Sequence, residues 1–222
     1  MLEVNKEQIL NVTNGECFNE YFIKKFGGYA LPFCEAMMDG EAHEGVYSNE
    51  FIEKRCKALS VSEEEYRSKM HLYNAMNNNK NKFSALCLWF GKDTFCQVNL
   101  LTLLAYLEEI DYNGNVTLNY IDDETFEVIE ENITVHLGGY KKIYSEMLLS
   151  HKQPTEIGVL SGKAIDLYFD YHSEDGTLAQ MVKENINDDE YSLLCRLLSS
   201  SAEYGLSDIQ AKGIIDRVKN SK

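Results

Sequence analysis

The stretch "FSALCLWF" at residues 83–90 places the strongest constraint on how this chain folds. It is a near-continuous apolar run of strand length, as a strand covered on both faces requires. Gly91, Lys92 and Asp93 interrupt it, and from Thr94 to Ile110 leucines recur on nearly every side of the expected helix. A helix apolar all round is a buried helix. The junction between these two segments carries Trp89, Lys92, Asp93 and Gln97. Such groups are there either to cap the helix or to floor a site.

The rest of the chain sets this unit in an alternating pattern. "QILNVT" (8–13) reads as a short strand ended by Asn14-Gly15, and Phe18, Tyr21, Phe22 and Phe26 follow at helical spacing until Gly27-Gly28. "YALPFCEAM" (29–37) reads as a second extended segment running into the turn Asp39-Gly40. Helices are expected from 49 to 59 and from 62 to 76, the second opened by the Ser62/Glu65 capping box, with "NNNKNK" (77–82) as a surface loop. "NVTLNYI" (115–121) alternates like a strand, and "NITVHL" (132–137) is another candidate. This order predicts an α/β fold: a mainly parallel, Rossmann-like or flavodoxin-like open sheet with helices on both faces. After residue 140 only helical patterns remain: "GYKKIYSEMLLSHK", "SGKAIDLYFDYH", "DDEYSLLCRLLSSSAEY" and "LSDIQAKGIIDRV". An α/β domain over 1–140 and a helical C-terminal subdomain over 141–222 are therefore expected.

Charge and composition narrow the function classes. A net charge of −15 repels phosphate backbones. "YGLSDIQAKGIIDRV" resembles the start of a helix-turn-helix, but residues 151–222 hold eight Lys/Arg against twelve Asp/Glu, the wrong balance for DNA. No run of eighteen apolar residues predicts a membrane span, and "MLEVNKEQILNVTNGE" lacks the basic start and apolar core of a secretion signal. The six cysteines form no C-x-x-C pair, which points to small buried thiols in a reducing cytoplasm. There is no H-E-x-x-H, no Cys/His zinc spacing, no G-x-S-x-G, no Walker A sequence and no G-x-G-x-x-G. No metal ligand set is assigned.

In open α/β sheets ligands sit beyond the C-terminal ends of the strands. Four turns qualify here: Asn14-Gly15-Glu16, Glu35 to Gly40, Gly91 to Asp93, and Asp122-Asp123. Asn14 and Asp93 stand where N-caps belong, and Glu16 where a helix dipole favours a carboxylate. Arg55 is harder to explain, since it lies four residues after Phe51 and four before Leu59, on an apolar helix face. A buried guanidinium needs a carboxylate, for which Glu16, Glu35, Asp39 and Asp93 are candidates, or an anionic ligand. Gln97 shares the stripe of Leu101 and Leu104. The leading expectation is a site for a small anionic molecule, such as a nucleotide or phosphorylated metabolite. It would be formed by Asn14, Gly15, Glu16, Glu35, Asp39, Gly40, Arg55, Trp89, Asp93 and Gln97. Arg55 and the helix starts at Gly15 and Thr94 would hold the anion, and Trp89 would flank a planar part. Glu35 or Asp93 would be the general base if chemistry occurs, and Mg²⁺ suits the oxygen donors. The rival is a noncatalytic interaction or regulatory protein using its helical tail. It predicts a closed ion network around Arg55 with no cavity beside it.

"LNVTNGE" (10–16), "LPFCEAMMDG" (31–40), "FIEKR" (51–55), "LWFGKDTFCQVNLLTLL" (88–104) and "GLSDIQ" (205–210) together resemble the family called domain of unknown function 1835. The resemblance covers most of residues 8–121 and implies a bacterial, cytoplasmic α/β protein of unassigned activity. Members often carry His where Asn11 stands, Asp where Glu16 stands, and Glu-His where Gly91-Lys92 stands. Those departures imply binding without catalysis, or a different specificity.

Overall fold

The computed structural model describes residues 9–77 and 82–220. Residues 78–81 of the loop expected at 77–82, and Gln8 of the first expected strand, lie outside the described residues. Five strands form one sheet: β1 (Ile9–Asn14), β2 (Ala30–Phe33), β3 (Ala85–Gly91), β4 (Asn115–Ile121) and β5 (Val128–Val135), in the order β2-β1-β3-β4-β5. The first four run parallel and β5 is an antiparallel edge. The α/β open sheet expected from the alternating pattern is therefore present, and its strand order reverses between β1 and β3.

Strand parity sorts the side chains onto two faces. Leu10 and Val12 of β1, Leu86, Leu88 and Phe90 of β3, and Val116, Leu118 and Tyr120 of β4 belong to the main core. That core includes the buried leucines of α5 (Thr94–Glu109). The opposite face carries Ala30, Trp89 and Ile121, covered by Phe18 and Phe22 of α1 (Glu16–Phe26). β2 is short because Pro32 offers no N–H, a residue tolerated at a sheet edge. The chain leaves the sheet after Phe33, four residues earlier than the expected end at 37.

Between β2 and β3 lie α2 (Asn49–Leu59), α3 (Glu63–Ser68) and α4 (His71–Asn77). The last two replace the single helix expected over 62–76. Tyr66 and Met70 are one helical turn apart, as are Leu72 and Met76, and all four are buried. Met70 and Leu72, two residues apart, cannot share one helical face, so a turn at Lys69-Met70 resets the register. The strand expected at 132–137 begins earlier, at Val128, because the Asp122–Thr125 turn folds it back on β4.

Seven further elements follow among the described residues: α6 (Tyr140–Tyr144), a π-helical turn (Ser145–Leu149), α7 (Gly162–His172), α8 (Thr177–Glu184), α9 (Glu190–Ser200), a 3₁₀ turn (Ala202–Tyr204) and α10 (Asp208–Asn220). α8 is absent from the sequence expectation, although Leu178, Ala179 and Val182 supply its buried stripe. The change of grammar near residue 140 marks a change of element type, while one apolar core runs from Leu10 to Val218. Polar contacts tie the same surfaces together. The Glu108 carboxylate accepts the N–H groups of Gly138, Tyr140 and Lys141 at 2.6, 2.9 and 2.9 Å, anchoring α6 to the end of α5. Tyr120 and Tyr144 donate to the carbonyls of Val159 and His43.

A shared core makes the tail and sheet unfold together. Ile215→Ala, at a fully buried position of α10, is expected to cost about 2–4 kcal/mol. Urea curves followed by Trp89 fluorescence, which reports the sheet, and by far-ultraviolet dichroism should shift by the same amount. Two separated transitions would show that the tail folds alone.

Candidate functional site

The crevice at the β1/β3 reversal is filled from below by the first turns of α5. Asp93 caps that helix, its Oδ1 accepting the Cys96 N–H at 2.9 Å. Asn14, at the end of β1, donates to Cys96 Sγ at 2.8 Å and accepts from Asn99 at 3.1 Å. Asn99 also donates to the Glu35 carbonyl at 2.6 Å and accepts the Met37 N–H at 3.1 Å. The fully buried Asn99 therefore holds β1, α5 and the loop after β2 in one register. An asparagine within an otherwise leucine-rich helix is the sequence signal for such a clamp, and it was not among the expected site residues.

Arg55 meets backbone rather than a ligand. Its two terminal nitrogens donate to the carbonyls of Asp39 and Ala36, each at 2.6 Å, and its Nε lies 3.9 Å from Glu35 Oε2. The side chains of Arg55 and Glu35 are 0% and 3% exposed, so the network is closed. Tyr66 donates to Glu35 Oε1 at 2.7 Å. Burial pushes the Glu35 carboxyl up to about 7, against the opposing effects of Tyr66, the Arg55 charge and Tyr47. A general base must reach its substrate, and Glu35 is sealed away from one. Asp39 is held by the tail, accepting from Tyr171 and Gln210, each at 2.7 Å.

The other expected site residues disperse. The Gly15 N–H donates to the Phe33 carbonyl and is not offered to an anion. Glu16 pairs with Lys69 at 2.7 Å on the surface. Gly40 lies tightly against Ala58 of α2 and borders a surface cavity that Glu41, Glu53 and Lys54 also line. Trp89 faces away from the crevice, against Phe22 and Phe26 of α1, with its Nε1 donating to Asn11 at 3.1 Å. It cannot flank a ligand beside Arg55, because neighbouring residues in a strand point to opposite faces. Gln97 donates to the Gly91 carbonyl at 2.7 Å and accepts the Ser161 N–H at 2.9 Å. It fastens the tail to the β3–α5 turn.

One open space lies beyond β3 and β4. A cavity of about 380 Å³ is lined by Lys92, Asp93, Asp122, Asp123, Ser161, Lys163 and Glu203, among others. The two aspartates after β4 divide their work. Asp122 accepts from Glu124 and Thr125 and builds the hairpin turn. Asp123 is exposed as a residue, yet its carboxyl turns back toward Gly91, Asp93 and Cys96. That enclosure, then the Asp93 carboxylate, pushes Asp123 up to about 8. Burial and the same two carboxylates also raise the Cys96 thiol. A side chain at Gly91 would overlap the Asp123 carboxylate, and one at Gly205 would overlap that of Asp93. The donor atoms of Asp93, Cys96 and Asp123 lie within 4.8 Å of one another, the one such grouping among the described residues. A larger cavity, of about 990 Å³, lies between α2 and α10 and is lined by Asp39, Phe95, Tyr171, Ile209 and Arg217 among others. Gly205 stands between the two cavities, against both Asp93 and Phe95.

Glu35 gives the protein a pH-dependent stability. Its pKa rises on folding from 4.5 to about 7, so the folded state holds a proton that the unfolded chain releases. The contribution is complete below about pH 4.5 and is lost as pH rises through about 7, on the order of 3 kcal/mol in all. Glu35→Gln, neutral throughout, should therefore lose less stability than the wild type between pH 5 and pH 8. Urea midpoints at the two values test this. Equal losses in both proteins would mean that Glu35 does not titrate in that window.

No family model matches the chain, and neither a curated protein nor a solved structure matches it.

Proposed function

We propose that this protein binds a small anionic molecule, such as a nucleotide or phosphorylated metabolite, in the cavity beyond β3 and β4. The observation that carries the reading is the meeting of two helix N-termini at one cavity. Asp93 and Ser161, the caps of α5 and α7, both line it, together with Lys92 and Lys163. Helix starts and ammonium groups both favour anions. A volume of about 380 Å³ lies within the usual range for small-molecule sites. Asp93 is the one of the two expected bases that borders this space, while Arg55 and Glu35 hold the scaffold behind it.

The resemblance to the domain of unknown function 1835 family supports the same location through "LWFGKDTFCQVNLLTLL", which contains Asp93, Cys96 and Asn99. The six cysteines are all free thiols, which fits a reducing, cytoplasmic setting. No helix among the described residues is long and apolar enough to cross a membrane.

One observation favours the noncatalytic interaction reading. The Arg55 network is closed and the tail is fastened over it, while Tyr191 (75% exposed) and Ile209 (80% exposed) stand out on α9 and α10. On that reading the tail is the working surface and the cavity is incidental.

Thermal-shift measurements with nucleotides, sugar phosphates and inorganic phosphate separate the two. A ligand at a hundredfold excess over its Kd adds about 2.7 kcal/mol, worth roughly 2–4 °C per kcal/mol in a chain of this size. Lys163→Ala should weaken the response at least tenfold, and Tyr191→Ala should leave it unchanged. A wild type that responds to none of these compounds would sink the small-molecule reading and leave the tail as the functional surface.

A further inference from the structure

The cavity has a second chemical character that an anion alone does not explain. It is lined by Asp93, Asp122, Asp123, Glu124 and Glu203 against Lys92 and Lys163. Both lysines are already paired, Lys92 with Glu130 at 3.1 Å and Lys163 with Glu203. An anion entering this space faces uncompensated carboxylates unless a cation enters with it.

We infer that Asp93, Cys96 and Asp123 form a three-ligand site for a zinc-like divalent metal ion, with the remaining coordination position open to the cavity. Three independent features carry this. First, two carboxylate oxygens and one sulfur already lie within 4.8 Å of one another, brought together from the start of α5 and the turn after β4. Zn–S and Zn–O bonds of about 2.3 and 2.0–2.2 Å need only a modest closure from there. Second, Asp93 Oδ2 is sealed from solvent and has no hydrogen-bond partner among the described residues. A buried carboxylate oxygen without a donor is costly, and a cation removes that cost. Third, the thiol is held in place from outside. Asn14 donates to Cys96 Sγ at 2.8 Å and is itself fixed by the buried Asn99. Outer partners of this kind orient metal ligands.

The donor set also selects the metal. Mg²⁺ takes oxygen ligands in octahedral geometry and has little affinity for a thiol. Thiolate with carboxylate matches zinc and related transition ions. Three protein ligands with one open position is the arrangement of zinc sites that bind a further molecule, whereas purely structural sites are closed by four. The inference deepens the small-molecule reading and rests on it for the role of that open position, which would take an anionic oxygen of the ligand.

Cobalt(II), used as a spectroscopic stand-in for zinc, tests the site with no small molecule present. The wild type is expected to show a thiolate-to-cobalt charge-transfer band that saturates at one equivalent and is displaced by Zn²⁺. Cys96→Ser should abolish the band. Asp123→Asn, a near-isosteric change whose fold is checked by far-ultraviolet dichroism, should weaken cobalt binding at least tenfold. Absence of the band in the wild type, or its persistence in Cys96→Ser, would overturn the inference. Phosphorylated compounds that stabilise wild type and Cys96→Ser equally in the presence of a chelator would leave the small-molecule reading standing without the metal. A cobalt band with no response to any anion would do the reverse.

Discussion

A helix shielded from water at residue 94 and throughout residues 96–107 cannot be covered by a sheet alone, because a sheet reaches one side of a cylinder. β1, β3 and β4 supply Leu10, Leu88 and Leu118 beneath α5, and its remaining sides must be covered by other parts of the chain. α6 and α7 do this, and α8, α9 and α10 pack behind them in the same apolar core. The tail is thus required by the composition of α5. Each fully buried leucine there is worth roughly 2 kcal/mol relative to exposure, so the sheet and the tail share one source of stability.

The polar residues inside α5 then determine how these layers fit. Apolar contact is non-directional, but a buried amide has to find its partners. Gln97 finds the Gly91 carbonyl and the Ser161 N–H, which sets the tail against the turn. Asn99 finds Asn14, Glu35 and Met37, which sets the β2 loop against β1. Arg55 completes that loop from the side by binding the carbonyls of Ala36 and Asp39. Three residues that stand out in the sequence as polar groups on apolar faces therefore act as fasteners between layers.

This explains which parts of the structure could be read from the chain. The β3–α5 unit was legible because its burial is written in consecutive residues, and the Asp93 cap because it depends on local geometry. Trp89 was legible in principle. Leu88 and Phe90 serve the α5 core, so strand parity sends their neighbour to the α1 side. The break at Lys69-Met70 was also present, as a change in the spacing of buried residues. The meeting of Asp123 with Asp93 and Cys96 was not legible. It depends on β4 lying beside β3 in the register that pairs Ile121 with Gly91, and no local pattern specifies that pairing. Arg55 could be identified as buried, but not its partners, because carbonyls of an irregular loop leave no trace in side-chain identity.

The resulting crevice is electrostatically divided. The positive charge expected to receive an anion, on Arg55, is enclosed and committed to backbone carbonyls. Of the carboxylates expected to balance it, Asp93 lies on the cavity side, beside Asp123. A carboxylate pair brought together around a thiol needs compensation, whether by a proton shared between the carboxylates or by a metal ion bound to all three groups. The glycines at 91 and 205 leave room for the carboxylates to approach this closely, and a side chain at either position would force them apart. The chain thus places its satisfied polar groups where they hold layers together. Asp93 Oδ2, buried and without a hydrogen-bond partner among the described residues, lies at the end of β3, where two helix starts and an open cavity meet.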